Sequence, residues 1–362
     1  MKRTKNIKLS RQVRAKVSKK PEKKQEYDGD TTEMISTGST LLDLAISGGR
    51  IRGGGIPAGI LVEIFGPSES GKTVLLCEIA GAIQRQKGEV MFNDPEARLV
   101  KQFAHMFDLD TDKMDYGTPD TVPEIFDAVR KWKPKKGMIH GIFTDSLAAL
   151  STDMEMGEKG DKMGARRAKE FSEGLRKICR ILTKNKYLMV CSNQIRQTFN
   201  TFGPKYKSPG GEAIPFYSSL RLNTKVLKKI VVTKTVEGNE VSRITAIKIN
   251  VDVFGSSVWK PYRSAPVTII FDYGVDDVKE NLQFVKDFTK PIVEKKEQQT
   301  KGKGKEKKSF YSLNGEKLGV SMNKAIQIIE EKGLEKELKE QVIDLWETIE
   351  SKFETERKPK IR

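Results

Sequence analysis

The chain is poor in cysteine and contains no long apolar run. Its three cysteines, Cys77, Cys179 and Cys191, lie in apolar or helical segments and lack the spacing of metal ligands. We therefore expect reduced thiols in the interior of a cytoplasmic protein. No apolar run reaches the length that a membrane span needs, and the basic N-terminus lacks the apolar segment of a secretory signal. The composition thus predicts neither a membrane protein nor a secreted one.

Negative charge is also scarce. The 66 Lys and Arg residues outnumber the 49 Asp and Glu residues, which gives a formal charge of +17 and a pI near 9.5. That surplus indicates a polyanionic partner, most simply nucleic acid. It is concentrated in residues 1–24, which hold eleven Lys or Arg and a single acid, Glu22. We interpret residues 1–34 as a basic flexible arm, which either is a solvated tail or binds a phosphate backbone with release of counterions.

The stretch 62–73, VEIFGPSESGKT, places a glycine-framed loop between an apolar strand and a helix. Its last eight residues fit G-x-x-x-x-G-K-[ST], a pattern in which backbone N–H groups surround phosphate oxygens at the positive end of a helix. The flanking strand and helix patterns disfavour a chance match in a plain glycine turn. Lys72 would reach the β- and γ-phosphates, and the Thr73 hydroxyl would bind Mg²⁺. The predicted nucleotide-binding residues of this stretch are Gly66, Pro67, Ser68, Glu69, Ser70, Gly71, Lys72, Thr73 and Val74.

Polar residues end three further predicted strands. Asp145 follows the apolar run 140–144 and would hold the Mg²⁺ shell, although an aspartate can also simply cap a helix. Glu96 follows the run 89–93 and could activate or orient the attacking water. Gln194 follows another apolar run, and an amide at that place can touch a γ-phosphate and report its loss. These residues predict an ATP site at one edge of a sheet.

The alternation of apolar strands and amphipathic helices predicts an α/β fold whose mainly parallel sheet is covered on both faces. The predicted strands are 60–65, 89–93, 140–144, 187–192, 218–224, 244–251 and 266–271, and the predicted helices lie near 73–86, 97–107, 121–132 and 164–184. A Lys/Glu/Gly-rich stretch at 294–308 contains no apolar residue and indicates a linker. The predicted parts are a basic arm (1–34), an ATPase core (35–290), a charged linker (291–308), a small C-terminal α/β domain (309–355) and a basic tail (356–362).

Two glycine-bearing segments, 151–169 and 196–211, follow the predicted strands that end at Asp145 and Gln194. Both are long for simple connections, and both combine cations with apolar tips. Cations suit phosphates, and apolar tips can stack on bases or wedge between them. Position alone supports this interpretation and that of two plain surface loops about equally.

Several blocks of the sequence, in order, resemble the RecA-type recombinases of bacteria and phages. They include ISTGSTLLDLAI (35–46), VEIFGPSESGKT (62–73), NDPEA (93–97), TDSLAAL (144–150), NQIR (193–196) and PGGEAIPFYSSLRL (209–222). The resemblance covers about residues 34–350. It implies a RecA-like ATPase core and a homo-oligomeric filament that coats single-stranded DNA, pairs it with a homologous duplex and exchanges strands. ATP and Mg²⁺ would bind between neighbouring subunits.

The resemblance also implies roles for single residues. Lys72, Glu96 and Gln194 match the family's catalytic positions, Thr73 and Asp145 its metal positions, and Phe103 the aromatic residue that stacks on adenine. The segments 155–169 and 195–211 match its two DNA loops. The implied DNA-binding residues are Met163, Arg167, Lys169, Arg176, Arg196, Phe199, Gly210 and Gly211. Phe216 matches an aromatic residue that docks on the adjacent subunit.

Some positions depart from the family pattern. One extra residue near 164–170 leaves open whether Arg167 or Lys169 touches DNA. Lys248, Lys260 and Arg263 are alternative candidates for the cation that reaches a neighbour's ATP. The basic ends, in place of an apolar N-terminal helix and an acidic tail, favour a phage or plasmid origin, with activity in a host cytoplasm or nucleoid.

A ring helicase or repair ATPase on the same core is the alternative function. Such proteins often carry a zinc module or a separate N-terminal domain, which three scattered cysteines and a short basic start do not provide. An assembly or signalling ATPase would not need the cations and apolar tips of both segments. A small-molecule kinase would need an acceptor pocket and a lid, for which we find no motif.

Overall fold

A computed structural model describes residues 32–151, 163–197, 206–207, 212–289, 292–295 and 307–357. The helices are α1 (Thr40–Ser47), α2 (Lys72–Arg85), α3 (Lys101–His105), α4 (Val122–Lys131), α5 (Met163–Asn185), α6 (Ala213–Tyr217), α7 (Asp277–Phe288), α8 (Met322–Lys332) and α9 (Glu335–Ser351). The first strands are β1 (Met34–Ile35), β2 (Ile56–Pro57), β3 (Leu61–Gly66), β4 (Val90–Asn93), β5 (Met114–Gly117), β6 (His140–Thr144), β7 (Tyr187–Gln194), β8 (Arg196–Gln197) and β9 (Tyr206–Lys207). The later strands are β10 (Leu220–Val236), β11 (Asn239–Ser256), β12 (Ser264–Ile270), β13 (Gly274–Val275), β14 (Ile292–Lys295), β15 (Lys307–Leu313) and β16 (Glu316–Gly319).

A nine-stranded sheet forms the centre of the core, in the order β13-β12-β11-β10-β3-β7-β6-β4-β5. The pairs from β10 to β5 are parallel, and those from β10 to β13 are antiparallel. This confirms the α/β fold with a mainly parallel sheet. All seven predicted strands occur, and β5 and β13 add two short ones at the sheet edges.

Apolar side chains cover both faces of this sheet. Along β3, Val62 and Ile64 face the side of α1, α2 and α7, whereas Leu61 faces the side of α4 and α5. Each face therefore has its own buried layer, because successive residues of a strand point to opposite sides. Because the strands are parallel, their carboxyl ends and the loops that follow them lie at one edge of the sheet, between the two layers.

The helix predicted near 97–107 is shorter than expected and begins only at Lys101. The Asp94 carboxylate accepts a hydrogen bond from Leu99 N at 2.7 Å, and Asp94 O accepts one from Ala97 N at 3.0 Å. Ala97 has a φ of 51° in this turn, which a helix does not permit. The side-chain bond thus holds residues 94–99 in a turn in which Glu96 lies.

The hairpin of β10 and β11 is longer than the strands predicted at 218–224 and 244–251. Pairing of β10 with β3 ends at Asn223, and pairing of β11 with β12 begins at Ala246. Between these points, residues 226–244 form a two-stranded ribbon with a turn at Glu237 and Gly238, both at positive φ. In the described part of the chain most ribbon residues are exposed, and the alternation of apolar and polar residues that marks a half-buried strand is absent here.

The C-terminal part contains the sheet β14-β15-β16 and the helices α8 and α9. Strands occupy 292–295 and 307–313, at the two ends of the predicted linker, and residues 296–306 lie outside the described part of the chain. Both helices bury an apolar face, and Ala325 and Val342 are fully buried. Within the described ranges, no helix has the length and apolarity to cross a bilayer.

Candidate active site

The loop between β3 and α2 needs its two framing glycines for shape. Gly71 has a φ of 80°, and a Cβ added to it would lie 2.5 Å from the Ile269 side chain. A Cβ on Gly66 would lie 2.2 Å from the Thr224 hydroxyl. The backbone oxygen of Thr224 is also only 2.5 Å from the Cβ added to Gly66, and the positive φ of Gly71 strains any other residue, so both places favour glycine. The loop is thus pressed against β10 and β12, which leaves its outer side for a ligand.

Ser70 fastens the loop internally and to β10. Its fully buried hydroxyl donates to Pro67 O at 2.7 Å and lies 2.7 Å from the Thr224 hydroxyl. A buried hydroxyl that keeps both of these contacts fixes the backbone around it. The N–H groups at the start of α2 are therefore held in a defined arrangement at the positive end of the helix.

Lys72 is the cation of this loop. Its Nζ donates to Pro67 O at 2.6 Å and to Gly66 O at 3.3 Å. Burial lowers the pKa of the ammonium group, and the nearby carboxylates of Asp145 and Glu96 raise it in opposition. A half-buried cation beside aligned N–H groups suits the charge of a phosphate.

Thr73 and Asp145 bring together the two predicted metal-binding side chains. The Thr73 hydroxyl donates to Asp145 Oδ2 at 2.5 Å, and the Ser192 hydroxyl donates to the other carboxylate oxygen. The three residues come from α2, the end of β6 and β7, which the sheet order places side by side. A hydroxyl beside a carboxylate is a donor set that fits Mg²⁺, since this ion prefers oxygen ligands.

Glu96 and Gln194 face the same polar cleft as these residues. The Glu96 carboxylate accepts a hydrogen bond from the Ser146 hydroxyl at 3.2 Å and pairs with Arg98 at 2.6 Å. Gln194 is exposed and stands opposite Gly66 in the register of β3 and β7. A carboxylate and an amide thus lie at the mouth of the phosphate-binding loop.

A second, apolar cleft lies on the other side of this loop. Phe103 and Phe271 line it together with Val226 and Ile244 of the ribbon. Phe103 lines both clefts and packs edge-on against Phe107, with ring centroids 5.0 Å apart. An apolar, partly aromatic cleft beside a phosphate-binding loop suits the base of a nucleotide.

Comparison with known proteins agrees with this geometry. The family model of the RecA N-terminal domain matches residues 14–276, a range that includes both clefts. Protein RecA of Borrelia turicatae is 32% identical over 313 residues, which cover 86% of this chain and 79% of that protein. Protein RecA of Colwellia psychrerythraea is 29% identical over 343 residues and covers 92% of each chain. The chain belongs to the RecA family.

Membership of the RecA family confirms the function expected from the sequence. The chain is a nucleotide-binding, DNA-dependent ATPase and a DNA recombinase that acts in recombination and repair. The loop 66–73 and the residues around it lie within the matched range and form one site. The roles of the single residues stay predictions.

The RecA-family residues predicted to bind DNA lie on different parts of the structure. Arg167 turns inward, and its guanidinium donates to Leu147 O at 2.7 Å and Ala148 O at 2.8 Å. Lys169 and Arg176 are exposed on α5. Met163 begins α5 and Arg196 begins β8, whereas Phe199, Gly210, Gly211 and residues 152–162 lie outside the described part of the chain.

The candidates for a cation that reaches a neighbouring subunit differ in their surroundings. Lys248 pairs with the buried carboxylate of Glu280 at 2.9 Å. Arg263 pairs with Glu350, and its guanidinium lies 4.2 Å from the ring centroid of Trp259. Lys260 is exposed, with its ammonium 5.3 Å from the same ring. Phe216, the predicted docking aromatic residue, is 80% exposed on α6.

Sequence reasoning missed several residues that shape the site. Thr224 holds the phosphate-binding loop through Ser70, and Ser192 holds Asp145. Phe271 lines the apolar cleft. Ser192 could have been found, because it precedes Gln194 by two residues and so shares its face of β7. Phe271 follows an apolar strand and resembled a core residue, while Thr224 needed the strand order to be known.

Proposed function

We propose that the chain uses ATP with Mg²⁺ to form a filament on single-stranded DNA and to exchange strands with a homologous duplex. The observation that carries the proposal is the contact between Thr73 and Asp145, next to Lys72, at the edge where Glu96 and Gln194 also lie. This set combines phosphate binding, metal binding and water activation at one place. The free state of the cysteines supports a reducing cytoplasm as the compartment.

The nucleotide would span both clefts. Backbone N–H groups of 66–73 and the Lys72 ammonium bind the phosphates, and the base lies between Phe103 and Phe271. Thr73 and Asp145 would hold Mg²⁺, which when bound offsets the negative charge of the phosphate oxygens. Binding at the exposed mouth of the loop leaves room for an adjacent subunit to cover the γ-phosphate.

Hydrolysis would depend on Glu96. Its carboxylate accepts a proton from the attacking water, and the contacts with Ser146 and Arg98 set its orientation. Gln194 contacts the γ-phosphate and immediately precedes the segment 195–211, so binding of ATP and its loss alter the order of that segment. The segments 155–169 and 195–211 bind DNA through their cations and apolar tips.

Turnover and assembly test this proposal together. ATP hydrolysis is measured with and without single-stranded DNA, and the same samples are viewed by electron microscopy. We expect DNA to accelerate hydrolysis and helical filaments to appear with ATP and DNA. Closed rings would indicate instead a ring helicase or repair ATPase. The proposal would be overturned if DNA left the rate of ATP hydrolysis unchanged and no filaments formed.

A further inference from the structure

A fully buried carboxylate lies in the middle of the central sheet, on the face opposite the nucleotide. Glu63 of β3 has no exposed side-chain surface and stands opposite Cys191 of β7 and Arg221 of β10 in the strand register. Its neighbour on the same face, Leu61, belongs to an apolar layer. Burial of a charge in such a layer is costly unless the charge is paired and hydrogen-bonded.

Both oxygens of Glu63 have partners, and the partners come from two different strands. Oε1 accepts a hydrogen bond from Asn193 Nδ2 at 3.0 Å, and Oε2 accepts one from Arg221 Nε at 2.7 Å. The Arg221 guanidinium also lies over the rings of Phe65 and Phe254, 4.7 Å and 5.3 Å from their centroids. We call Glu63, Asn193 and Arg221 the β3 clamp.

The three residues of the β3 clamp lie next to functional segments of the chain. Asn193 lies at the end of β7, before the segment 195–211, and Arg221 lies at the start of β10, after that segment and α6. Glu63 is three residues before Gly66, in the strand that enters the phosphate-binding loop. One carboxylate thus ties the strand before the segment 195–211 and the strand after α6 to the strand that carries this loop.

Stability alone does not require such a network. Replacement of a buried ion pair by apolar residues of similar size is often neutral or stabilising, whereas removal of one partner is costly. An apolar trio would satisfy the surrounding layer equally well. Directional hydrogen bonds differ from apolar contacts in fixing the relative positions of three strands.

We propose that Glu63 is a positioning residue that couples the bound nucleotide to the DNA-binding segment 195–211. Asn193 and Gln194 are adjacent and point to opposite faces of β7. The β3 clamp therefore fixes the backbone next to Gln194, the residue proposed to contact the γ-phosphate. A shift of Gln194 on nucleotide binding is transmitted through Asn193 and Glu63 to Arg221, in the strand that follows the segment and α6. The inference rests on the proposed function, because it assumes the roles of Gln194 and of 195–211.

Two variants of the full chain test the β3 clamp. Glu63→Leu combined with Arg221→Met removes both charges together, and Glu63→Gln keeps an oxygen acceptor for Asn193 but no charge. For each, the affinity for a fluorescent oligo-dT is measured without nucleotide and with ATPγS, alongside the midpoint of thermal unfolding. Glu33→Gln is the control, since it breaks the ion pair of Glu33 with Lys186 (2.8 Å) next to the opposite end of β7.

In the parent and the control we expect ATPγS to tighten DNA binding. In the double variant this gain should fall about tenfold or more, while the unfolding midpoint falls only by the cost of leaving the buried Asn193 amide without its acceptor. Glu63→Gln, which keeps that acceptor, should lie between the double variant and the parent. The inference would be overturned if ATPγS tightened DNA binding by the parent's factor in either Glu63 variant. It would also be overturned if the loss of this tightening merely followed the loss of thermal stability. If the double variant does not fold, Glu63→Gln decides alone. A parent without any gain would instead refute the proposed function.

Discussion

The nucleotide edge of the sheet and the junction with the C-terminal helices are held by different kinds of contact. At the edge, short hydrogen bonds join buried or half-buried side chains, as between Thr73 and Asp145 at 2.5 Å. At the junction, Arg52 forms three ion pairs with α9 carboxylates, all of them well exposed. Trp259 and Trp346 also pack together at this junction, with their rings tilted by 53° and their centroids 5.6 Å apart.

The difference shows which contacts each region needs. Phosphate and metal chemistry requires oxygen and nitrogen atoms at set positions, and buried hydrogen bonds provide them. The junction has only to keep two parts together. Aromatic packing and the largely buried pair of Arg263 with Glu350 do so, while the exposed pairs of Arg52 add little. The following experiments test this contrast, from the largest expected effect to the smallest.

Glu96→Gln should lower ATP turnover by about 10²–10⁴-fold, because the amide cannot accept the proton of the attacking water. Nucleotide-dependent DNA binding should survive, since Lys72 and Thr73 are untouched. Phosphate release and oligonucleotide binding are the measurements, with Asp112→Asn, which breaks the exposed ion pair with Lys101, as the control. Turnover within a few-fold of the parent would remove Glu96 from the mechanism.

Trp346→Ala should lower the free energy of unfolding by about 3–5 kcal/mol, because it leaves a cavity beneath α9 at the junction. The side chain is 9% exposed and packs on Trp259. Chemical denaturation followed by circular dichroism measures the loss. A loss as small as that of a surface substitution would show that the stack does not hold the junction.

Glu78→Gln should change stability in a pH-dependent way. Burial raises the pKa of Glu78 on α2 from 4.5 to about 7. The folded chain therefore opposes ionisation of Glu78. The protonated carboxyl contributes its full stability below pH 4.5, and this contribution is lost as the pH rises from 4.5 through 7. The variant cannot ionise, so above pH 7 it should exceed the parent in stability by at most about 3 kcal/mol. Unfolding midpoints from pH 4.5 to 8.5 would show this gain vanish at the acid end; a constant difference would contradict the pKa shift.

Arg52→Ala should have the smallest effect, although it removes three ion pairs at once. All four side chains are at least 42% exposed, and water replaces their contacts at little cost. The midpoint of thermal unfolding should stay near that of the parent. A loss that matches the effect of Trp346→Ala would show that the ion pairs, and not the aromatic stack, hold the junction.

The short-range features of the site were readable from the chain. Residues 66–73 form the phosphate-binding loop as a contiguous pattern, and Asp145 and Glu96 follow apolar strands whose ends share one edge in a parallel sheet. The extent of β10 and β11 was not readable. Ribbon residues with both faces exposed carry no periodic signal, and their pairing depends on long-range register.

The sequence by itself determined the α/β class, the phosphate-binding loop and the family, because these depend on residues close together in the chain or on blocks kept in order. Only the tertiary structure decided that Thr224 supports Ser70, that Phe271 and Phe103 line one cleft, that Arg167 turns inward, and that Glu63 joins Asn193 to Arg221. Such contacts join residues far apart in the chain. They arise from the order and register of strands, which the packing of the whole sheet selects and no local pattern encodes.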